Sequence, residues 1–222
     1  MFDSELWSLL VDSFPKILIP GLTMTIPLTV ISFSLSLVIA TAVALVQFAN
    51  IKGLKQLARL YIWMIRGTPL LVQLYVVFFG LPHVGILIEP FPAAILVFSI
   101  NSGAYCAEII RAALEAVPVG QMEAGYCVGM SYLQIIWRIV LPQAMRTAFP
   151  SLPNSVISMV KDTSLVYVIG VVEMFTRAKQ IAVAPDSPGI VTLFVAGVFY
   201  YVFNFLVAWV MERIEKRLNY YQ

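Results

Sequence analysis

No charged residue falls between Lys16 and Lys52. A helix crosses the hydrocarbon core of a bilayer in ~20 residues, so this one stretch already demands a membrane-embedded fold. The rest of the chain agrees. Charged residues make up 12% of it, hydrophobic residues 60%, and the mean hydropathy is +0.90; an ordinary soluble domain is about 25% charged. The sequence predicts an all-α, polytopic membrane bundle of five transmembrane helices. The first covers roughly 24–48, and Pro20, Gly21 and Pro27 near its start predict an irregular or interfacial entry. The second covers 57–80 and contains Arg66; the third, 90–114, is uncharged until Glu108. The fourth, 147–172, carries Lys161 and Asp162, and the fifth, 189–211, is uncharged until Glu212.

Five crossings put the two ends on opposite sides. One side collects Lys52, Lys55, Arg59, Arg138, Arg146, Arg213, Lys216 and Arg217, the other only Lys16, Arg177 and Lys179. The positive-inside rule therefore places the N-terminus outside and the C-terminus in the cytoplasm. Residues 1–18 form an external N-terminal segment, 19–215 the membrane domain and 216–222 a cytoplasmic tail. The opening run MFDSELWSLLVDSF has Asp3, Glu5 and Asp12 but no basic residue, so it does not read as a cleaved signal peptide.

Several chemistries are excluded. No Gly-x-x-x-x-Gly-Lys-Ser/Thr motif is present, so this chain has no phosphate-cradling loop. His83 is the single histidine, which rules out a two-histidine metal motif and a His-dependent nucleophile. Cys106 and Cys127 have no metal-site spacing and are expected as small buried residues. No catalytic residue, metal ligand, cofactor or nucleic-acid partner is expected; the membrane lipid is one partner.

The stretch EAGYCVGMSYLQIIWRIVLP, Glu123–Pro142, is too broken to cross a bilayer. Pro118 and Gly120 close the third span. Two helical turns can follow, ended by Gly129 as a left-handed cap. Ser131 and Gln134 have capping-box spacing, with Met130 and Ile135 as a hydrophobic staple. The next helix groups Leu133, Ile136, Trp137, Val140 and Leu141 near one face, with Gln134 and Arg138 away from it, and Pro142 ends it. Such a helix–break–helix element on the cytoplasmic side either returns the chain along the interface or presents a knob for another protein.

Polar residues inside the spans give a second set of candidates. A charge at a helix centre costs roughly 2.5–3.5 kcal/mol on the insertion scale, so Lys161 and Asp162 should face protein or water. They form either a structural pair with partners such as Glu108 or Arg66, or a substrate contact, with Thr163 and Ser164 adding hydroxyls. Pro69 cannot donate a backbone N–H and clashes with the Ile65 carbonyl, so Thr68–Pro69 either kinks the second span or opens backbone to a cavity. Asn101 and Ser102 make interhelical hydrogen bonds or line a cavity. By helix rise, Asp162 lies ~22 Å and Asn101 ~16 Å into their spans, depths that overlap.

In order and spacing these fragments resemble one family. Glu123-Ala124-Gly125, three residues, Gly129, nine residues, Ile139-x-Leu141-Pro142 is similar to the cytoplasmic loop signature of type I ABC importer permeases, with Gly125 in place of the usual alanine. Arg66-Gly67-Thr68-Pro69-Leu70-Leu71-Val72-Gln73, Asn101-Ser102-Gly103-Ala104-Tyr105 with Glu108 and Arg111, and Lys161-Asp162-Thr163-Ser164-Leu165 resemble its polar amino-acid branch, the histidine, glutamine, arginine and cystine permeases. The resemblance implies an ABC transmembrane type-1 domain over 19–215, with 118–142 as the coupling loop. It implies a plasma (inner) membrane subunit that moves a polar amino acid, charged, amide or cystine-like. ATP hydrolysis would belong to a separate ATPase, two copies of which bind ATP and Mg. A second permease, identical or related, and an extracellular or periplasmic amino-acid-binding protein complete the assembly. Glu123, Ala124, Gly125, Gly129, Leu141 and Pro142 are the expected ATPase contacts. Thr68, Pro69, Gln73, Asn101, Ser102, Lys161, Asp162, Thr163 and Ser164 are the candidates for substrate. A stand-alone channel or ion-coupled carrier is the rival reading; the odd helix count and the lack of an obvious inverted repeat speak against it.

Overall fold

The computed structural model describes residues 4–184 and 189–219. Every element within them is helical. Three helices are long and apolar enough to cross a membrane: Val11–Phe48, Pro90–Glu115 and Val191–Arg217. Two bent pairs, Leu54–Arg66 with Leu70–Val84 and Tyr132–Ile169 with Met174–Ala182, raise the total to five when each counts as one span.

The entry to the first span is helical throughout, and its irregularity is a single π turn. Helix α1 (Ser4–Pro20) runs through a π-helical turn, Gly21–Thr25, into α2 (Ile26–Phe48). Most of the segment expected outside is therefore helix; residues 1–3 lie outside the described residues. The prolines are absorbed rather than expelled. Pro27 would clash with the carbonyl four residues back in a regular helix. Here the Ile26 N–H bonds instead to the Gly21 oxygen, five residues back, which widens the turn.

Along α2 the buried positions include Ser32, Ser36, Ala40 and Ala44, a stripe of small side chains at four-residue spacing. It faces α5 (Pro90–Glu115), which buries Ala93, Ala94, Gly103, Ala104 and Ala107. Small residues let two apolar helices approach closely where lipid supplies no hydrophobic drive to associate. A Cβ on Gly103 would sit 3.0 Å from Ile39 Cγ2, so the approach there depends on glycine.

The second span is two helices, not one kinked helix. Helix α3 (Leu54–Arg66) and α4 (Leu70–Tyr75) meet at 104°. Thr68 precedes a proline, which disfavours its helical conformation, and Pro69 adopts an extended ψ of 137°. The carbonyls freed by the break are caught by Gln73. Its Nε2 donates within 2.9 Å of the Ile65 oxygen, 3.1 Å of the Thr68 oxygen and 2.8 Å of Thr68 Oγ1.

After α5 comes the elbow. Helix α6 (Val119–Cys127) ends in a left-handed Gly129 at φ +78°, with Gly129 N–H bonded to Tyr126 O and Met130 N–H to Gly125 O. This is the expected cap. The capping box forms as well: Gln134 N donates to Ser131 Oγ and Ser131 N to Gln134 Oε1. The expectation that Pro142 stops the helix fails. Helix α7 (Tyr132–Ile135) continues through a π turn, Ile136–Val140, into α8 (Leu141–Ala148), a 3₁₀ turn at Phe149–Ser151 and α9 (Leu152–Asp162). The Leu141 N–H reaches back five residues to Ile136 O, so the clash at Pro142 is relieved as it is at Pro27. The π turn also shifts the helix phase. Ile135, Ile136, Val140 and Leu141 are buried, whereas Leu133 and Trp137, expected on the same face, are 67% and 61% exposed.

A 3₁₀ stretch, Thr163–Ile169, ends at left-handed Gly170. Helix α10 (Met174–Ala182) follows, capped by the fully buried Glu173. That carboxylate accepts from the Phe175 and Thr176 N–H groups, from Thr176 Oγ1, and from Tyr200 Oη at 2.8 Å. Tyr200 belongs to α11 (Ile190–Asn219), so one buried acid ties α10 to the last span. Helix α11 extends into the expected tail as far as Asn219, and residues 220–222 lie outside the described residues.

Candidate functional site

The α3–α4 break, the middle of α5 and one face of α9 line an open cavity of about 780 Å³. The break contributes Arg66, Gly67, Thr68, Pro69 and Leu70; α5 contributes Phe98, Asn101, Ser102, Tyr105 and Ile109. Thr68, Pro69, Asn101, Ser102 and Asp162, named from sequence, all line it. The overlap in depth between Asn101 and Asp162 is thus a shared wall.

Four other candidates do not reach it. Gln73 stands one layer behind, accepting from Asn101 Nδ2 at 3.1 Å while bracing the break. It positions Asn101 rather than lining the cavity. Lys161 is exposed and is not among the residues lining the cavity. Thr163 is fully buried with its hydroxyl bonded to Val160 O, and Ser164 bonds Lys161 O. Both hydroxyls serve the backbone where the helix tightens to 3₁₀.

The cavity has further lining that sequence reasoning missed: Ser151, Asn154, Ser155 and Ser158. With Asp162 they recur every three or four residues along SLPNSVISMVKD, the period of one helix face. That signal was present in the sequence. The proposed partners of the charged pair are also corrected. Glu108 pairs with Arg111, Nη2–Oε2 3.0 Å, and Arg111 reaches Glu115 as well. Arg66 lies over the Tyr105 ring, 5.2 Å from Cζ to the centroid. Among the described residues, the Asp162 carboxylate makes no hydrogen bond or ion pair to a side chain. A half-buried carboxylate left so is costly unless water or another group compensates it.

The elbow is the second feature. Glu123 and Ala124 are exposed on α6, while Gly125 is buried beneath Ile135. A Cβ on Gly125 would fall 2.7 Å from Ile135 Cγ1, so here glycine replaces alanine because the two helices of the elbow touch. Leu141 is buried and Pro142 exposed. Val128, Leu133 and Trp137 leave apolar surface uncovered around the break. Cys127 is exposed here, against the expectation of burial, because α6 sits outside the bundle; Cys106 is buried as expected.

A helical bundle with apolar spans, a cavity lined by both polar and apolar side chains and a protruding elbow is the build of a membrane permease subunit. The model for binding-protein-dependent transport system inner membrane components matches residues 36–220, and the chain belongs to that family. It is 42% identical over 216 residues to the L-cystine transport system permease protein TcyB of Bacillus subtilis (strain 168), spanning 97% of this chain and 92% of the relative. Identity to the arginine transport system permease protein ArtQ of the same organism is 33%, spanning 96% and 97%. Among solved structures, a crystal structure of an amino acid ABC transporter with histidines matches at a TM-score of 0.82 and 34% identity, covering 94% of this chain and 96% of that one. The inward-facing MetNI methionine ABC transporter, 20% identical at a TM-score of 0.75, shares the fold.

Proposed function

We propose that this chain is the translocating subunit of an ATP-driven importer for a zwitterionic polar amino acid, with L-cystine the leading candidate. The observation that carries this reading is the unpartnered Asp162 carboxylate facing a cavity that Arg66 also lines. An α-amino acid presents an ammonium to the first and a carboxylate to the second. The volume of about 780 Å³ is within the range of small-molecule sites, roughly 300–1,000 Å³, and accommodates a two-headed molecule such as cystine. The serine and asparagine face of α9 supplies donors and acceptors along its length. The 42% identity to a cystine permease supports the same choice.

The elbow is the contact for a separate ATPase, in two copies, which binds ATP and Mg. Glu123, Ala124 and the apolar rim around Gly129 seat in it and pass its closure to α5 and α9. A second permease, identical or related, and an external amino-acid-binding protein complete the assembly. The basic asymmetry puts the elbow and C-terminus in the cytoplasm and the N-terminus outside. The test is uptake into proteoliposomes holding the assembled transporter, with labelled L-cystine, arginine and glutamine in parallel. Uptake should require ATP on the elbow side, the side from which a thiol reagent reaches Tyr132→Cys. ATP-independent, gradient-driven uptake would instead favour the ion-coupled carrier.

A further inference from the structure

A second cavity, of about 640 Å³, adjoins the first. Helix α3 gives it Lys55, Arg59 and Trp63, and α5 gives it Glu108, Arg111 and Glu115. It is a charged vestibule, whereas the only charged residues lining the first chamber are Arg66 and Asp162. The two spaces share three residues, Arg66, Gly67 and Tyr105. Taking the chamber as the substrate path, as proposed above, we infer that the Arg66–Tyr105 pair is the partition that separates the chamber from the exit vestibule.

The local structure suits that role. Tyr105 stands on α5, the long helix packed along the small-residue stripe of α2. Arg66 is the last residue of α3, directly before the break. Its guanidinium lies over the Tyr105 ring at 5.2 Å, within the ~6 Å over which a cation and a ring attract. Gly67 forms the corner. A Cβ there would lie 2.9 Å from the Trp63 carbonyl, so a larger residue would crowd the last turn of α3 at the corner. Gln73 on α4 bonds the Ile65 carbonyl at the end of α3 and the Thr68 carbonyl in the break, so a swing of α3 about the corner has the Ile65 bond to release. A small swing lifts Arg66 from Tyr105 and joins the two spaces. While closed, the guanidinium repels the ammonium end of an amino acid and attracts its carboxylate, holding it in the chamber.

The experiment uses the assembled transporter in inside-out vesicles without nucleotide, with Cys106→Ala and Cys127→Ser as background and Ser158→Cys as a reporter within the chamber. The probe is the impermeant thiol reagent MTSET, added on the vestibule side. Arg66→Gln and Tyr105→Leu should each label about fivefold faster than the background, the shift expected from loss of a solvent-exposed cation–ring contact. Tyr105→Phe, which keeps the ring face, should stay within about twofold. The Arg66→Gln/Tyr105→Leu double variant should label no faster than the faster single, because one contact has been removed twice. Unchanged labelling in either single variant, equal acceleration by Tyr105→Phe, or multiplying effects in the double variant would each overturn the partition. MTSET is not a substrate, so this outcome is independent of whether Asp162 binds one. An Asp162 variant with unaltered substrate affinity would count against the chamber reading while the partition stood.

Discussion

Replacing Asp162 with asparagine should raise the KM for L-cystine uptake by roughly ten- to a hundredfold in the assembled transporter. The side chain keeps its size and loses its charge. A hydrogen bond to a charged group contributes about 1.5–3 kcal/mol, and each 1.4 kcal/mol is tenfold in affinity. Structure and sequence diverge on the accompanying stability. Had Asp162 been one half of a buried ion pair, breaking it would cost about 3–5 kcal/mol. Glu108 is instead occupied by Arg111, and Arg66 by Tyr105. With no partner to strand, Asp162→Asn should leave the melting temperature of the purified complex unchanged or raised. Thermal melts beside uptake kinetics check both halves. A lowered melting temperature with an unchanged KM would show that Asp162 is structural.

Gly129→Leu should abolish ATP-driven uptake while the permease still inserts and folds. Two effects combine at this residue. Its φ of +78° lies in the left-handed region, where a side chain costs roughly 1–2 kcal/mol. A Cβ added there meets no atom within 4 Å, so the new leucine projects into the open space where the ATPase would seat. Asparagine tolerates the left-handed region better than other residues with a side chain, and Gly129→Asn separates strain from obstruction by retaining part of the activity. Co-purification of the ATPase and its substrate-stimulated hydrolysis are the readouts. Full stimulation in the Gly129→Leu complex would remove the elbow from the coupling path.

How much of this was legible in the sequence depended on the kind of signal. The span Pro90–Glu115 was visible almost to the residue, because a long apolar run bounded by proline and charge has few alternatives. The elbow's glycine cap and capping box were visible because they rest on local spacing and backbone chemistry. Pro142 does not end its helix as expected. A proline ends a helix or is absorbed by a π turn, and apolar periodicity does not distinguish the two; at Pro142, as at Pro27, a π turn absorbs the proline. The same turn rotated Leu133 and Trp137 to the outside. In the chamber, charge and helix breaks drew attention to Asp162 and Pro69. The milder serine and asparagine face of α9 went unnoticed because single hydroxyls are common in apolar helices. Thr163 and Ser164 were over-read for the converse reason: a hydroxyl can bond a carbonyl three or four residues back, which is where both are spent.

In the proposed path an amino acid rests between Asp162 and Arg66 on its way through the chain. A structure of the complete transporter with L-cystine, at a resolution that shows side chains, tests it most directly. Ligand density is expected in the cavity between α5, α9 and the Thr68–Pro69 break, with an ammonium within hydrogen-bonding distance of Asp162 and a carboxylate facing Arg66. Ligand density elsewhere in the membrane region, with the Asp162 cavity empty or collapsed, would contradict it.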